Sequence, residues 1–587
     1  MYNEWSLDIL YKGIDDEKLA ADMARLEEVI AEYKAAVNAL SPENPAEELK
    51  KVVLISEEMT VLTRRLAGYF SLRRSANSSD SEGARYMTKI QSLMASTAKE
   101  NVMFQKYAGK LENLDAIIEN DELLSQYKFY FAQIKKAVSH KIGDEAEAVF
   151  AQMNISGGRA WSDLTAHLAA TVEVEYNGKT TTLPAIRGLA DSDSAEERKA
   201  AYEAELACYK KIKDPIAFSL NSIKAQVNLE AKLRGFENPL AMTLDQSRMQ
   251  KETLDAMLQA MRETLPKFRA YLKHKAKLLG YKNGLPWYEI LAPIGSAENS
   301  TTYTVEDAHK YLVEHFNSFA PDLAEMVDTA FKEEWIDFYP RSGKVGGAFC
   351  SNLPFVGQSR ILTNFSGSFG SVVTLAHELG HAYHGQQIQD HRPLNTGYTM
   401  PVAETASNFN ELIIVNDAIE KATGEEKIML IESQIQDCTQ IIVDIYSRFL
   451  FEDEVIRRRN DTFLFAKDLE EIMLNAQKEA FGDGLDPEYL HPYMWCCKSH
   501  YYRPNLSYYN FPYAFGGLFS RGLYAKYLEE GESFLPKYRA LLKATTVDTV
   551  EHVAGIAGID LTQPDFWRTS LKMIADQIDL FIEETSK

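Results

Sequence analysis

The sequence contains no uninterrupted apolar run that approaches the about 18 residues needed for a membrane-spanning helix. Its start, Met1-Tyr2-Asn3-Glu4-Trp5, lacks the basic and apolar stretches of a secretory signal peptide. Cysteine is also scarce, because only five are scattered through 587 residues, without the regular spacing of a disulfide framework. These absences predict a cytoplasmic protein without a membrane partner.

Positive charge is in the minority, with 63 Lys and Arg against 85 Asp and Glu and a formal net charge of −22. Such a surface gives no support for nucleic acid or an anionic membrane as a partner. The hydrophobic fraction of 45% and the charged fraction of 25% are typical of a soluble globular protein. Since 587 residues exceed what one compact core accommodates, we expect two or more subdomains.

Helical periodicity dominates the first half of the chain. Apolar residues recur at helical spacing over residues 17–40, and Ser41-Pro42-Glu43-Asn44-Pro45 then breaks the pattern. A second helix is predicted to about Ser71, and further helices to about residue 152, before the turn at Gly157-Gly158. The predicted fold class is therefore mainly α.

Two short stretches favour strands. Residues 172–176 alternate in polarity, Asn177-Gly178 follows, and residues 179–183 complete the pattern of a β-hairpin. Residues 346–351 and 359–365 are short segments flanked by turn residues. A small sheet at this second place offers an edge with which an extended peptide can pair, although a purely structural hairpin is the alternative.

A His-Glu-x-x-His motif follows the second pair of strands, within a segment predicted to be helical: Ala376-His377-Glu378-Leu379-Gly380-His381-Ala382-Tyr383-His384. Residues four apart on a helix share a face, with Cβ atoms about 5–6 Å apart. His377 and His381 can therefore both bind one zinc ion at about 2.0–2.1 Å. Glu378 is placed to take a proton from a water bound to that ion. The motif predicts a zinc peptidase.

The neighbours of the motif support this interpretation. Apolar residues cover nearly the whole circumference of the helix, which predicts burial, and buried imidazole and carboxylate groups are costly without partners. Gly380 sacrifices about 1 kcal/mol of helix propensity relative to Ala, which predicts close approach by another backbone. Ser371, after the loop at residues 366–370, is the expected N-cap.

A catalytic zinc needs a third protein ligand. A metzincin extension is excluded, because its Gly and His positions hold His384 and Gln387. The segment after Pro401 is predicted to begin a helix in which Glu404 and Glu411, seven residues apart, share a face. Glu404 is our preferred ligand, with His384 as the alternative, and Glu411 or Asn408 is expected to orient a ligating histidine. One zinc ion per chain is expected.

Cys496-Cys497, with His491 and His500 nearby, are a second candidate metal cluster. Adjacent cysteines lack the two-to-four-residue spacing of joint zinc ligands, which disfavours that cluster. A capping box at Ser194-Ala195-Glu196-Glu197 predicts another long helix. We divide the chain near this point into an N-terminal helical region, residues 1–200, and a zinc peptidase catalytic region, residues 201–587.

The sequence resembles the M3 metallopeptidases, and among them the oligoendopeptidase F branch. The resemblance rests on Leu375–His384 and on Glu404-Thr405-Ala406-Ser407-Asn408-Phe409-Asn410-Glu411, with a less specific helix at Tyr271–Gly280. It covers about residues 210–587, whereas the preceding part matches only in helical character.

The resemblance implies an elongated helical molecule with a deep substrate channel and a small β-sheet beside the zinc helix. It implies cleavage of short peptides rather than folded proteins. It also implies His377, His381 and Glu404 as zinc ligands and Glu378 as general base and later acid. By the same resemblance, the segment Gly346–Ser351 pairs with the backbone of an extended substrate.

The family further has a histidine and paired tyrosines that face the scissile carbonyl, and the corresponding segment here runs from His500 to Gly516. Tyr509 and Tyr513, four residues apart, match the pair. The gap from His500 to Tyr509 is longer than the branch implies, which leaves Tyr502 and Tyr508 as substitutes. Donors fixed near a developing oxyanion contribute about 10²–10³ in rate, and a neutral phenol is such a donor.

Two alternative functions stay open. A dipeptidyl carboxypeptidase would use the same zinc ligands and a cation for the substrate's C-terminal carboxylate, for which Arg360 and Arg503 are available. A non-catalytic peptide-binding protein with a zinc site is the alternative from another class. The intact Glu378 argues against it, since a structural zinc has no use for a neighbouring base.

Overall fold

The computed structural model describes residues 4–295 and 302–587. Over this part of the chain helices predominate and the sheets are small, which confirms the predicted mainly α class. In chain order the α-helices are α1 (Glu17–Asn38), α2 (Pro45–Ala76), α3 (Ser81–Ala95), α4 (Ala98–Gly109), α5 (Leu114–Glu119), α6 (Glu122–Ser125), α7 (Lys128–Ser139), α8 (Asp144–Ser156), α9 (Gly158–Thr171), α10 (Leu183–Arg187), α11 (Ala195–Leu233), α12 (Pro239–Gln246), α13 (Lys251–Leu278), α14 (Val305–Phe319), α15 (Pro321–Lys332), α16 (Phe369–Ile388), α17 (Met400–Ala403), α18 (Thr405–Lys421), α19 (Gly424–Cys438), α20 (Ile445–Arg459), α21 (Ala466–Phe481), α22 (Met494–Cys497), α23 (Phe511–Glu530), α24 (Leu535–Ala544), α25 (Val550–Gly555) and α26 (Pro564–Glu584).

The chain forms two compact units, each assembled from three segments. The first contains residues 4–141, 302–416 and 527–557, and the second contains residues 142–295, 417–526 and 558–587. The boundary predicted near residue 200 falls inside α11, within a segment of the second unit. Segments distant in sequence share one core in each unit, so a single cut in the chain does not separate the units.

The first two helices follow the sequence pattern closely. Asp16 caps α1 by accepting a hydrogen bond from the Lys18 amide, and α1 buries the predicted apolar face. The break at residues 41–45 ends in Pro45, which is the first residue of α2 and lacks the amide hydrogen that a helix start leaves unpaired. The helix α2 continues to Ala76, beyond the predicted end near Ser71.

The predicted hairpin lies in the second unit. Strand β1 (Glu173–Tyr176) pairs antiparallel with β2 (Lys179–Thr182), so that Tyr176 faces Lys179 across a two-residue turn. Asn177 and Gly178 have φ values of 51° and 74°. Positive φ at both turn positions is what a type I′ hairpin requires, and Asn-Gly meets that requirement at little cost.

The sheet expected beside the motif lies in the first unit. Its strands are β3 (Ile336–Asp337), β4 (Phe349–Leu353) and β5 (Gln358–Leu362), in the order β3-β5-β4. The pair β3 and β5 is parallel, whereas β4 and β5 are antiparallel with Cys350 opposite Ile361. Within the described residues, the other edge of β4 pairs with no strand.

Candidate metal centre

The motif lies on α16, a helix of the first unit, as predicted. Ser368, rather than the expected Ser371, is the N-cap, and its side chain accepts a hydrogen bond from the Ser371 amide. Ser371 Oγ instead accepts from the Ser366 amide at 3.1 Å, so this hydroxyl stabilises the loop that enters the helix. The two serines are three residues apart, and the backbone conformation of the loop decides which of them caps the helix.

Gly380 explains how closely a second helix approaches α16. A Cβ atom at this position would lie 2.5 Å from the Ala406 carbonyl oxygen and 2.5 Å from Ser407 Cα. Both atoms belong to the backbone of α18, and the Asn410 side chain also donates to the Ala376 carbonyl at 3.2 Å. The predicted close approach of another backbone at Gly380 is therefore confirmed.

The strand β4 contacts the opposite side of the motif helix. Asn352 Nδ2 donates to the His381 carbonyl at 3.1 Å, while its Oδ1 accepts from Ser359 Oγ at 2.7 Å. A side chain at Gly385 would collide with the Asn352 amide. The small sheet thus lies beside the helix as expected, and one asparagine fixes their separation.

Three candidate ligand atoms converge between α16 and the start of α18. His377 Nε2 lies 3.2 Å from His381 Nε2, and Glu404 Oε2 lies 3.4 Å from the first nitrogen and 3.3 Å from the second. Among the residues that the structure describes, this is the one group of three or more His, Cys, Asp or Glu side chains close enough to share an ion.

The spacing of these atoms fits zinc. Tetrahedral coordination with bonds of about 2.0–2.2 Å places neighbouring donor atoms about 3.3–3.6 Å apart. The three separations form a nearly equilateral triangle: 3.3 and 3.4 Å lie within that range, and 3.2 Å is about 0.1 Å below it. Two imidazoles and one carboxylate form a donor set typical of catalytic rather than structural zinc sites.

Glu404 does not lie within a helix as predicted. The helix α17 ends at Ala403, Glu404 is its C-cap with φ −92° and ψ 10°, and α18 begins at Thr405. Glu404 and Glu411 nevertheless both approach His377. Glu404 faces Nε2, whereas Glu411 accepts a short hydrogen bond from Nδ1. Both carboxylates therefore approach the same histidine, as their predicted common face implies, although Glu404 lies between the two helices.

The hydrogen bond to Glu411 determines which nitrogen of His377 is free. With the proton on Nδ1, Nε2 presents its lone pair toward Glu404 and His381. Burial lowers the pKa of His377, but the hydrogen bond to Glu411 and the charges of Glu411, Glu378 and Glu404 raise it to about 9. A metal ion at Nε2 therefore has to displace a proton from that nitrogen near pH 7. Asn408, the other predicted orienting residue, forms no side-chain hydrogen bond with either histidine among the described contacts.

Glu404 is held in its ionised form. Burial raises its pKa, but His381, His377 and the Ser407 hydroxyl outweigh burial and lower the pKa to about 2. Ser407 Oγ donates to Glu404 Oε2 at 2.8 Å. The sequence alone predicts no role for Ser407 or Asn410, although a serine three residues after a carboxylate at a helix start is a recognisable local pattern.

Glu378 is buried beside the two histidines, with 5% of its surface exposed. Its Oε2 atom has no hydrogen-bond partner in the described part of the protein. Burial raises its pKa, and the Glu404 and Glu411 charges add to this, while His377 and His381 act in the opposite direction. A carboxylate with a free oxygen and raised basicity is suited to accept a proton.

His384, the alternative ligand, lies outside the three-residue group. It is fully buried, its Nε2 is 2.8 Å from Thr545 Oγ1, and its ring stacks on Tyr398 with centroids 4.4 Å apart. Because Thr545 Oγ1 itself donates to the Leu542 carbonyl, it accepts from His384. Burial lowers the pKa of His384 to about 3. His384 thus lies outside the group that could share an ion, and its contacts are with Thr545 and Tyr398.

The predicted C-terminal residues form a cluster of their own in the second unit. The His500 ring lies 5.0 Å from that of Tyr509 and 5.7 Å from that of Tyr513, and the two tyrosine rings are 5.5 Å apart. Burial lowers the pKa of His500 to about 4, with Arg448, Arg503 and Lys498 adding to this. The imidazole is thus neutral near pH 7.

The two substitutes, Tyr502 and Tyr508, are engaged elsewhere. Tyr502 is buried and donates to the Trp495 carbonyl at 2.8 Å, and Tyr508 donates to Asp453 at 2.8 Å. Tyr513 by contrast is 37% exposed. Among these four tyrosines, Tyr509 and Tyr513 are the pair that contacts His500.

Arg360 and Arg503, the candidate anchors for a substrate carboxylate, both contact other residues. Arg360 is 2% exposed and donates to the Ser6 carbonyl at 2.7 Å, so it has a structural partner. Arg503 stacks on Tyr509, 4.5 Å from the ring centroid.

In the described residues, Cys496 and Cys497 belong to no metal-binding group, and all five cysteines are free thiols.

Known proteins are similar to this chain over nearly its whole length. The model of peptidase family M3 matches residues 189–573, and the Oligopeptidase F model matches residues 110–173. Oligopeptidase PepF of Bacillus subtilis is 22% identical, covering 98% of this chain and 86% of the relative. The oligoendopeptidase F homolog of Mycoplasma pneumoniae is 25% identical, with coverages of 97% and 95%.

Solved structures show the same fold. Oligoendopeptidase-F from Enterococcus faecium aligns with a TM-score of 0.71 at 18% identity, covering 97% of this chain and 99% of the other. A protein from Chlamydophila abortus aligns with a TM-score of 0.84 at 18% identity, with coverages of 99% and 98%. The similarity therefore includes the N-terminal residues, beyond the predicted limit near residue 210. No helix in the described residues is long and apolar enough to cross a membrane.

Proposed function

Because the chain belongs to peptidase family M3, we propose that it is a zinc-dependent endopeptidase that cleaves internal bonds of short, unstructured peptides. The predicted resemblance to the M3 metallopeptidases, and to their oligoendopeptidase F branch, is confirmed, as is the prediction of an enzyme. The identity of the metal, the residue roles and the peptide substrates are the content of the proposal.

The observation that carries the proposal is the grouping of His377, His381 and Glu404 beside Glu378. Three donor atoms with separations of 3.2–3.4 Å match a zinc site with an open position. A structural site would use a fourth protein ligand, and the described residues supply only three. The neighbouring carboxylate, which has an unpaired and buried oxygen, is suited to accept a proton there.

The assigned roles follow from these contacts. A zinc ion held by His377, His381 and Glu404 would lower the pKa of a bound water and polarise the scissile carbonyl. Glu378 accepts the proton of the attacking water and later delivers it to the leaving amine. Glu411 keeps His377 in the tautomer that presents Nε2, and Ser407 holds the Glu404 carboxylate.

For the oxyanion we propose donation from Tyr509, Tyr513 and His500. Burial raises the pKa of Tyr513 to about 12, and a hydrogen bond with Tyr509 adds to this, so its phenol is a neutral donor near pH 7. The assignment rests on the family resemblance and on the mutual contacts of the three rings. Tyr502 and Tyr508 are not assigned, since their hydroxyls already have acceptors.

The unpaired edge of β4 supports the proposed binding of an extended peptide backbone. Residues 349–351 of the predicted segment Gly346–Ser351 lie on β4, the strand whose Asn352 contacts α16. An extended chain that adds a strand to this edge would gain backbone hydrogen bonds regardless of its side chains. Such binding favours unstructured peptides over folded proteins, whose backbone groups are already paired.

Replacement of Glu378 by Gln tests the proposal most directly. Loss of a general base predicts a fall in peptide hydrolysis of about 10²–10⁴-fold, with zinc content still near one per chain. Glu420→Gln, a change of the same type at an exposed position on α18, is the matched control and should leave both values unchanged. Loss of zinc from Glu378→Gln would make Glu378 a ligand, and unchanged hydrolysis would exclude it as the base.

The position of cleavage separates an endopeptidase from a dipeptidyl carboxypeptidase. Mass spectrometry of a peptide pool should show cuts at internal bonds, including in peptides whose C-terminus is blocked as an amide. The structural contacts of Arg360 weigh against its use as a carboxylate anchor. If amidation abolished all cleavage, the carboxypeptidase alternative would replace the present proposal.

A further inference from the structure

The second unit contains a cavity that none of the proposed catalytic residues lines. Its volume is about 180 Å³, and its wall includes Tyr202, Trp287, Tyr288, Met494, Arg187 and Lys498. For comparison, an apolar cavity of about 150 Å³ holds one benzene molecule. The space therefore suits one aromatic ring or one branched aliphatic group together with a small polar group.

The ammonium group of Lys498 is the unusual feature of this wall. In the part of the chain that the structure describes, no carboxylate lies within ion-pair distance of its Nζ, and no acceptor binds it. Burial lowers the pKa of Lys498, and Arg448 and Arg187 add to this, whereas Cys497 and Asp444 act in the opposite direction. A partly buried cation among other cations is stabilised by an anion.

The two nearby carboxylates contact other cations. Asp444 forms a short ion pair with Arg448. Glu205, which also lines the cavity, lies 3.2 Å from Arg187 Nε and accepts from Tyr209 at 3.0 Å, both through Oε1. In the described residues, neither carboxylate lies within ion-pair distance of Lys498.

A second cation of the wall also has an unused donor. Arg198 is 4% exposed, and its two terminal nitrogens bind the Ser192 carbonyl and Glu289. Its Nε is buried and has no partner in the described residues. The wall thus combines three aromatic side chains with two cations, Lys498 and Arg198, whose hydrogen-bonding capacity is incompletely used.

We propose that this cavity binds a small carboxylate that carries one aromatic or branched aliphatic group, with Lys498 as its counter-ion. The apolar group contacts Trp287, Tyr288 and Tyr202, and the carboxylate contacts Lys498. None of the proposed zinc ligands lines this cavity, and the inference does not depend on the proposed function.

Titration of the full-length protein with 3-phenylpropanoate tests the site, with its neutral isostere 3-phenylpropanamide as the comparison. We expect saturable binding of the acid in calorimetry, and at least about 10-fold weaker binding of the amide, because a hydrogen bond to a charged group is lost. Equal affinity of acid and amide, or no saturable binding of the acid in the millimolar range, would overturn the proposal.

Variants locate the site. Lys498→Met should weaken binding of the acid by about 10-fold or more, whereas Lys282→Met, at an exposed position of the same unit, should not. Quenching of tryptophan fluorescence by the acid should disappear in Trp287→Phe. Retention of full affinity in Lys498→Met would contradict the assignment, and the acid-amide comparison in the unaltered protein remains decisive if that variant does not fold.

A further titration excludes another binding mode. Removal of zinc by a chelator should leave the affinity for 3-phenylpropanoate unchanged, and loss of binding would show that the acid was bound to the metal.

Discussion

Replacement of Gly380 by Ala should weaken zinc binding without touching any ligand. The new Cβ would lie 2.5 Å from the Ala406 carbonyl oxygen and 2.5 Å from Ser407 Cα. Since carbon atoms make their best contacts at about 3.5–4.0 Å, α16 and α18 must separate locally by about 1 Å. Metal-ligand distances tolerate only about 0.2 Å, and Glu404 directly precedes the displaced helix.

The expected magnitude has two parts. Overpacking costs about 1–3 kcal/mol, and the better helix propensity of Ala returns about 1 kcal/mol, so the metal-free protein should lose about 0–2 kcal/mol of unfolding free energy. Displacement of Glu404 from His377 and His381 should lower zinc affinity by about 10–100-fold, the range found when the support of a ligand is removed.

The assay is a competitive zinc titration against a chromophoric chelator, combined with thermal unfolding of the metal-free protein. Gly370→Ala is the matched control on the same helix, because its Cβ would meet nothing closer than Ser368 Oγ at 3.7 Å. The control should bind zinc as the unaltered protein does. A folded Gly380→Ala protein with unaltered zinc affinity would refute the argument that the close approach of α18 positions Glu404.

Three further results are expected. Glu404→Ala should lose zinc, whereas Glu411→Ala should retain it with about 10–100-fold lower affinity; metal analysis after dialysis would contradict us if only Glu411→Ala lost zinc. Tyr513→Phe should lower kcat by about 10²–10³ while Tyr502→Phe does not, and equal effects would remove Tyr513 from the proposed oxyanion site. His384 has a folded pKa of about 3, below its ordinary value of 6.5, so the unfolded chain binds a proton between these values and the folded protein does not. Its contribution to stability should therefore be present above pH 6.5 and fall by about 1.4 kcal/mol per pH unit as the pH drops toward 3. Urea unfolding of the protein and of His384→Gln across this window should show the smaller pH slope in the variant, and identical slopes would exclude His384 as a source of acid sensitivity.

The features that the sequence predicted well depend on residues close together in the chain. The helical period alone brings His377 and His381 to one face and puts Glu378 beside them. The Asn177-Gly178 turn fixed the register of the hairpin, because few residue pairs tolerate two positive φ values. Gly380 predicted close contact with another backbone, but the sequence did not show that this backbone belongs to α18.

The tertiary structure decided which distant groups meet. Packing of the two helices brings Glu404, which lies between α17 and α18, to Nε2 of His377, while Glu411 binds Nδ1. The tertiary structure also determines that the Tyr502 hydroxyl donates to the Trp495 carbonyl. No local pattern predicts these outcomes, because they depend on how separate segments of the chain pack into one unit.

The division of the chain into units likewise depends on which distant segments pack together, which local sequence patterns do not predict. Composition and periodicity placed one boundary near residue 200, but each compact unit takes three segments of the chain. Helix propensity and capping act over a few residues and determine where helices begin and end. Burial of their apolar faces is a property of the whole set of helices, so only the folded structure decides which of them share a core.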